Sequence, residues 1–279
     1  MEDTKILTMP VIALRGLTML PEMTISFDIS RKKSIAAVEK AMVSDQRVCL
    51  VAQKDPDIQN PAFEQLYHIG TVSYIKQLVK MPGGIVRVMA EGQARAELLD
   101  LDSEEPALIG EVLLTEEQEA DVDGAAAEAM SRILKEKLEA YGRQHPKFAK
   151  EILPNMMLCD DLESLMLQMA SELPWDYRIR QSYLEEPTLA GQYEVLLSNL
   201  IHEIEVSQIH RELQEKVKEN IDKNQKDYIL REQMKVIREE LGEDLMSDAD
   251  EYEKQLASLK ADKEVKEKIQ KEIDRLKGM

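Results

Sequence analysis

The chain has 279 residues, with 36 Lys and Arg against 54 Asp and Glu, for a formal net charge of −18. That charge disfavours nonspecific binding to nucleic acid or to an anionic membrane, and it favours solubility and mutual repulsion. The length holds one large or two ordinary domains, and no apolar run reaches the roughly 18 residues needed to span a membrane. Met1-Glu2-Asp3 is acidic and leads into no signal-peptide run. Cys49 and Cys159 lie far apart without metal-like spacing, which predicts a reduced, cytosolic chain with buried thiols. Proline and glycine crowd into the first two-thirds, and residues 192–241 have neither, so a globular front and a helical rear are expected.

In chain order, Met9-Pro-Val-Ile-Ala-Leu14 reads as a short buried strand. Thr24–Ile29 alternates, with Ile25, Phe27 and Ile29 inward and Thr24, Ser26 and Asp28 outward. Ser30 is placed to cap a helix running to about Ser44, with Ile35, Val38 and Met42 on its inner face. Arg47–Ala52 returns as a strand, followed by a polar, proline-bearing loop over 54–61. Gly70–Val79 and Ile85–Ala90 flank Pro82-Gly83-Gly84, a strong hairpin signal. Further strands are expected over Ala94–Leu101 and Ala107–Leu114. Five or six short strands with one helix suggest a small, partly closed barrel over 1–116.

Between Arg95 and Arg132 lie twelve acidic residues and no basic one, read as a solvated linker ahead of a patch for a basic partner. A helical pattern starts at Gly124 and passes through Ile133, Leu134, Leu138 and Tyr141 to Gly142. Phe148, Ile152 and Leu153 form a short apolar helix that stops at Pro154. Asp160 or Asp161 caps the next helix, whose Leu162, Leu165, Met166 and Met169 face a core. Trp175–Leu184 is a further helix, and together these make a small bundle over 117–190.

From Gly191 to Gly242 the apolar positions step by three and four, as at Leu197, Leu200, Ile201 and Ile204, then Ile209, Leu213, Val217 and Ile221. Glu212–Lys216, Glu219–Lys223, Asp222–Lys226 and Asp227–Arg231 are acid-before-base pairs four apart, each worth about 0.2–0.5 kcal/mol on a wet helix. One helix of that span would reach roughly 75 Å. Its stripe drifts at Asn224-Gln225, which argues against one uninterrupted coiled coil and for a long, bent helix between two bodies. Residues 243–279 carry Tyr252, Leu256 and Leu259, then Val265, Ile269, Ile273 and Leu276, as two charged helices that can fold back on the long one.

The stretch Asn224-Gln-Lys-Asp-Tyr-Ile-Leu-Arg-Glu-Gln-Met-Lys-Val-Ile-Arg-Glu-Glu-Leu-Gly-Glu-Asp244 resembles the long-helix signature of Lon, the ATP-dependent bacterial protease. The front resembles the same family through Pro10-Val-Ile-Ala-Leu-Arg15, Pro21, Lys33-Ser34, Leu50-Val-Ala-Gln-Lys-Asp55, Leu66-Tyr67, Ile69-Gly-Thr-Val72 and Glu91-Gly92, in the family's order. The resemblance implies an α+β chain: a PUA-like, partly closed β-rich barrel for substrate recognition at 1–116, a helical bundle at 117–190, a very long linking helix at 191–242 and a coiled-coil-like tail at 243–279 leading towards an ATPase domain. It further implies a non-catalytic, cytoplasmic region that recognises unfolded or damaged proteins in quality control and stress response and helps assemble a hexameric ring. ATP and Mg belong to the parent serine endopeptidase's other domains, and no nucleic acid or membrane partner is implied.

Chemistry on this chain is not expected. No Gly-x-x-x-x-Gly-Lys-Ser/Thr cradle occurs, and the family's Ser-Lys pair has no counterpart. His202 and His210 fail the His-Glu-x-x-His spacing because position 206 is Val206, so no catalytic, cofactor or metal residue is predicted. Glu104-Glu105 and Asp160-Asp161 read as caps or solvated charge. Capture of unfolded chains calls for soft, adaptable side chains, and Met suits that role. Met89 shares a strand face with Arg87 and Glu91, opposite Val86, Val88 and Ala90, and Met81 sits at the hairpin tip beside Pro82. Met81, Pro82 and Met89 are therefore the candidate substrate-protein contacts, against ordinary packing under a loop. Met156-Met157-Leu158 reads better as bundle core. The competing functions are a coiled-coil dimerising scaffold with a barrel head, and a small-ligand barrel, which requires an enclosed pocket.

Overall fold

The apolar runs Val11-Ile-Ala-Leu14 and Val48-Cys-Leu-Val-Ala52 are buried at every position, so both faces of their strands must be covered. The structure, a computed structural model describing residues 6–103, 105–115, 121–240 and 248–277, shows how. Strands β1 (Ile6–Leu14), β2 (Thr24–Ile29), β3 (Arg47–Ala52), β4 (Ile69–Lys80), β5 (Val86–Ser103) and β6 (Ile109–Leu114) are ordered β2-β5-β4-β3-β1-β6, and β6 pairs back onto β5. Five strands thus close a ring, and β2 attaches to β5 outside it. β1 and β3 run parallel, with Val11 opposite Cys49 and Leu14 opposite Ala52, and α1 (Lys32–Val43) lies between them in sequence. Two side-chain clusters, one with Ile12, Leu50, Ile75 and Val88 and the other with Val11, Val51, Val72 and Leu98, draw on the ring strands and fill both faces. Burial pushes the Cys49 thiol up to about 12.

The two strands predicted over 85–90 and 94–101 are one 18-residue strand. Register shifts against β4 and β6 let it bend, so its first part pairs with β2 and its last part with β6. Gly92 lies at this bend, where a Cβ would overlap the Leu20 carbonyl. The α1 helix is not capped by Ser30. It follows Arg31 without a side-chain cap, and its buried face is Ser34, Ala37, Val38 and Ala41, which leaves Met42 37 % exposed.

The bundle uses α2 (Gly124–Gln144), α3 (Pro146–Glu151), α4 (Leu153–Met157), α5 (Leu162–Glu172) and α6 (Tyr177–Glu185). Gly142 lies inside α2 rather than ending it, packed against Leu153 and Ala149. Pro154 opens α4 instead of stopping a helix, as a residue without an N–H can in a first turn. Asp161, not Asp160, caps α5, accepting from the Ser164 N–H at 2.7 Å. Met156 is fully buried, in the core with Leu134, Leu165, Met166 and Met169. The Arg180 guanidinium donates to the carbonyls of Ala170 (2.8 Å), Leu173 (2.8 Å) and Trp175 (3.0 Å), tying the C-terminal end of α5 to α6.

Bundle and barrel belong to one compact unit that ends at Ile209. Leu20 of the barrel side enters the bundle core. Thr18 donates to the Tyr177 carbonyl (2.9 Å), Gln181 to the Ile69 carbonyl (2.8 Å) and Arg95 to the Leu184 carbonyl (2.7 Å). Such bonds satisfy polar groups that this contact removes from water.

Helix α7 (Leu189–Glu240) starts two residues before Gly191, whose N–H is accepted by the Thr188 hydroxyl at 3.1 Å. Its first turns belong to the bundle, since Tyr193, Leu196 and Leu200 are buried there. It continues through Asn224-Gln225 without interruption. The expected stop at Gly242 and residues 116–119 of the acidic stretch lie outside the described residues. In the second compact unit, which starts at His210, α8 (Asp248–Ser258) and α9 (Lys263–Lys277) pack on each other through Leu256, Ile269 and Ile273.

Candidate functional site

The β4–β5 hairpin is shaped by two glycines with left-handed backbone, Gly83 (φ 83°) and Gly84 (φ 76°), and the Met81 N–H donates to the Ile85 carbonyl at 2.8 Å. Down the strands, Lys80 faces Val86, Val79 faces Arg87 and Gln77 faces Met89. A bulge between Ile75 and Gln77 interrupts the pairing at Lys76. Below it Ile75 is fully buried; beyond it Val79 stands 43 % exposed. The tip adds Met81 (36 %) and Ile85 (37 %), with Pro82 exposed between them.

Met89 is half-buried on the outer face, and Val86, Val88 and Ala90 are buried on the inner one, so the predicted alternation holds. Its cross-strand neighbours are Ser26 on β2 and Gln77 on β4. The charges on either side of it are paired away. Arg87 donates twice to Asp28, at 2.7 and 2.8 Å, and Lys76 meets Glu91 at 3.0 Å. The hydrogen bond from Arg87 holds the Asp28 carboxyl below its ordinary range and raises Arg87 in turn. A thioether framed by neutralised pairs is a softer surface than its charged sequence neighbours suggest.

Lys80 reaches Glu39 on α1 at 3.4 Å. Met42 and Val43 follow Glu39 by three and four residues, one turn along the same side of the helix, and Val43 is 90 % exposed. The ion pair thus relates the α1 end to an apolar rim of Val79, Met81 and Ile85. Sequence reasoning named Met81, Pro82 and Met89 but missed Val79, Ile85 and Val43, and it turned Met42 inward. The signal for Val79 was there, in an apolar residue beside Lys80 near a hairpin tip, but the bulge that exposes it was not.

This arrangement can bind apolar side chains of an extended partner by contact and desolvation alone. Among the described residues, no group of three or more His, Cys, Asp or Glu is placed to hold a metal ion.

A family model described as the ATP-dependent protease La (LON) substrate-binding domain matches residues 8–202. Lon protease of Lachnoclostridium phytofermentans is 43% identical over 272 residues, which cover 97% of this chain and 34% of that protein. Lon protease of Clostridioides difficile is 35% identical over 272 residues, covering 96% of this chain and 35% of its own length. The chain therefore spans about a third of the length of these relatives. The N-terminal domain of Mycobacterium avium complex Lon protease shares the fold, with a TM-score of 0.56 at 19% identity over 69% of this chain and 97% of that one.

Proposed function

This chain belongs to the family of Lon protease substrate-binding domains, and on that footing we propose that it catches unfolded or damaged protein on the rim of its β4–β5 hairpin for an ATP-dependent protease. Met81, Pro82 and Met89 make the contact, extended by Val79 and Ile85. The observation that carries this reading is the set of apolar side chains left open to solvent where neighbouring charges are tied to one another. An unfolded chain offers apolar side chains that a native protein buries, so such a surface discriminates folding state rather than sequence. Cleavage and nucleotide turnover belong to other parts of the whole protease, which acts in the cytoplasm.

The test compares a denatured and a native form of one protein as ligands for the full chain. Binding of the denatured form alone is expected; equal binding of both, or of neither, rejects the reading.

The long helix supports a second role in assembling the ring from copies of the chain. Ile209, Leu213, Val217 and Ile221 recur every four residues on α7, each more than half exposed. Light scattering checks this: self-association that survives removal of residues 210–279 excludes the stripe as its cause. The cut falls after Ile209 because an earlier one would strip Tyr193, Leu196 and Leu200 from the bundle core.

A further inference from the structure

Strand β2 pairs with β5 on one side and with no described strand on the other, because the ring closes through β6 and β5 without it. The ladder fixes which of its main-chain groups are left over. The Met23 carbonyl accepts from the Gly92 N–H at 2.9 Å, so Met23 turns its main chain towards β5. Residues of an antiparallel pair alternate between facing the partner strand and facing away. Ile25, Phe27 and Ile29 therefore bond to β5, and the N–H and C=O groups of Thr24, Ser26 and Asp28 point out of the sheet. The far side of β5 agrees: the Met81–Ile85 bond turns Ile85, Arg87 and Met89 towards β4, which leaves Val86, Val88 and Ala90 for β2. Thr24, Ser26 and Asp28 are all exposed, and among the described residues no backbone hydrogen bond reaches them from outside the sheet.

Natural sheets guard an open edge with lysine, proline, a bulge or a covering segment. Thr24-Ile-Ser-Phe-Asp-Ile29 has no lysine or proline and pairs with β5 in unbroken register, and its one charge, on Asp28, is tied to Arg87. Ile25 and Phe27 on its inner side are only half-buried, so the core beneath this edge is incompletely covered. Free donors and acceptors recurring at every second residue, about 7 Å apart, match a chain that is itself extended with its own N–H and C=O groups free. A native protein uses those groups in its own helices and sheets, whereas an unfolded one does not. A second copy is the poorer occupant, since each carries a net charge of −18.

We propose that the outer edge of β2 takes an extended segment of an unfolded polypeptide as an added strand over Thr24–Asp28. This role rests on the capture of unfolded protein read above and adds main-chain pairing to the side-chain contacts of the rim. Ser26 lies opposite Met89, so edge and hairpin share the outer face of β5. The added strand lays every second side chain beside Ile25 and Phe27, so segments that alternate apolar and polar residues are preferred.

Two labelled peptides of one alternating apolar–polar sequence are titrated into the full chain. One has normal amides; the other is N-methylated at every residue, which removes its main-chain donors and keeps its side chains. Affinity is read by anisotropy, and hydrogen exchange of the Thr24, Ser26 and Asp28 amides by NMR. The normal peptide should slow those amides and bind about tenfold or more tightly than the methylated one. Ser26→Pro deletes an outward N–H and leaves the bonds to β5, so it should weaken the normal peptide to a similar degree, whereas Ser26→Ala should not. Equal binding of both peptides, or unchanged exchange of those amides at saturation, overturns the added strand and leaves the rim standing. Binding of neither peptide overturns the capture reading with it. Protection of the same amides that rises with protein concentration, without peptide, gives the edge to a second copy and overturns the proposal. Should Ser26→Pro unfold, the two peptides on the unaltered chain decide alone.

Discussion

Replacing Val79 and Met81 together by serine tests the hairpin rim where it is open. Fully burying a Val or Met side chain is worth about 1.5–3 kcal/mol. Val79 is 43 % exposed and Met81 36 %, so that share of the gain is left for a partner to collect. The two side chains then contribute about 1–2 kcal/mol to capture, or roughly five- to thirtyfold in affinity. Folding should be little affected, because the remaining contacts lie at a hairpin tip whose turn is fixed by Gly83 and Gly84. Fluorescence anisotropy with a labelled, permanently unfolded protein measures the affinity, and a thermal melt of the variant checks the fold. An unchanged affinity with an unchanged melt refutes the assignment of this rim. Met89→Asp is the sharper companion, since it sets a new carboxylate between Asp28 and Glu91 on the same face. If it abolishes folding along with capture, Met89 is part of the core and not a contact.

Two further predictions concern the frame that holds the rim. Asp161 caps α5, and hydrogen bonding from Ser164, backbone first and then side chain, holds its carboxyl below the ordinary value of 3.8. Asp161→Ala should cost about 1 kcal/mol in a denaturant melt at neutral pH. The wild type's advantage should be complete above pH 3.8 and fade as pH falls through the lower folded value, so a difference that grows on acidification contradicts the cap. Burial raises both thiols, but Cys159 is only partly covered and Cys49 is sealed in the barrel. A thiol reagent at mild alkaline pH should therefore modify Cys159 in the native chain and Cys49 only at the rate of unfolding; comparable rates would mean the barrel opens on its own.

Much of the barrel was legible in the sequence because its signals are local. The alternation in Thr24–Ile29 needs only neighbouring residues to be read, and the Pro82-Gly83-Gly84 turn announces itself by the glycines that its φ angles demand. What failed depended on contacts distant in the chain. Periodicity puts Ile35, Val38 and Met42 on one inward face of α1; Val38 is buried and Ile35 packs on the core, but Met42 is left exposed. The face turned to the ring also takes in the smaller Ser34, Ala37 and Ala41, since α1 lies close to the strands and small side chains allow that approach. Pro154 likewise read as a stop, although a proline begins a helix as readily as it ends one.

The rim shows the same division more sharply. Met89 could be placed on the outer face because Val86, Val88 and Ala90 bracket it within five positions of one strand. Val79 could not, because its direction is set by the pairing of Lys76 and Gln77 with β5, and a single unpaired residue reverses every side chain beyond it. Without the bulge, strict alternation from the buried Ile75 would turn Val79 inward and leave Lys76 and Leu78 facing out. With it, Lys76 and Gln77 both face solvent, Leu78 turns back towards the core, and Val79 emerges beside Met81. The apolar surface offered to a partner is thus a product of one irregularity in register. Deleting Lys76 should remove the bulge and restore strict alternation, with Ile75 in, Gln77 out, Leu78 in and Val79 out, so the rim of Val79 and Met81 stays in place; a cysteine put at position 79 that loses its reactivity in the deletion variant would contradict this.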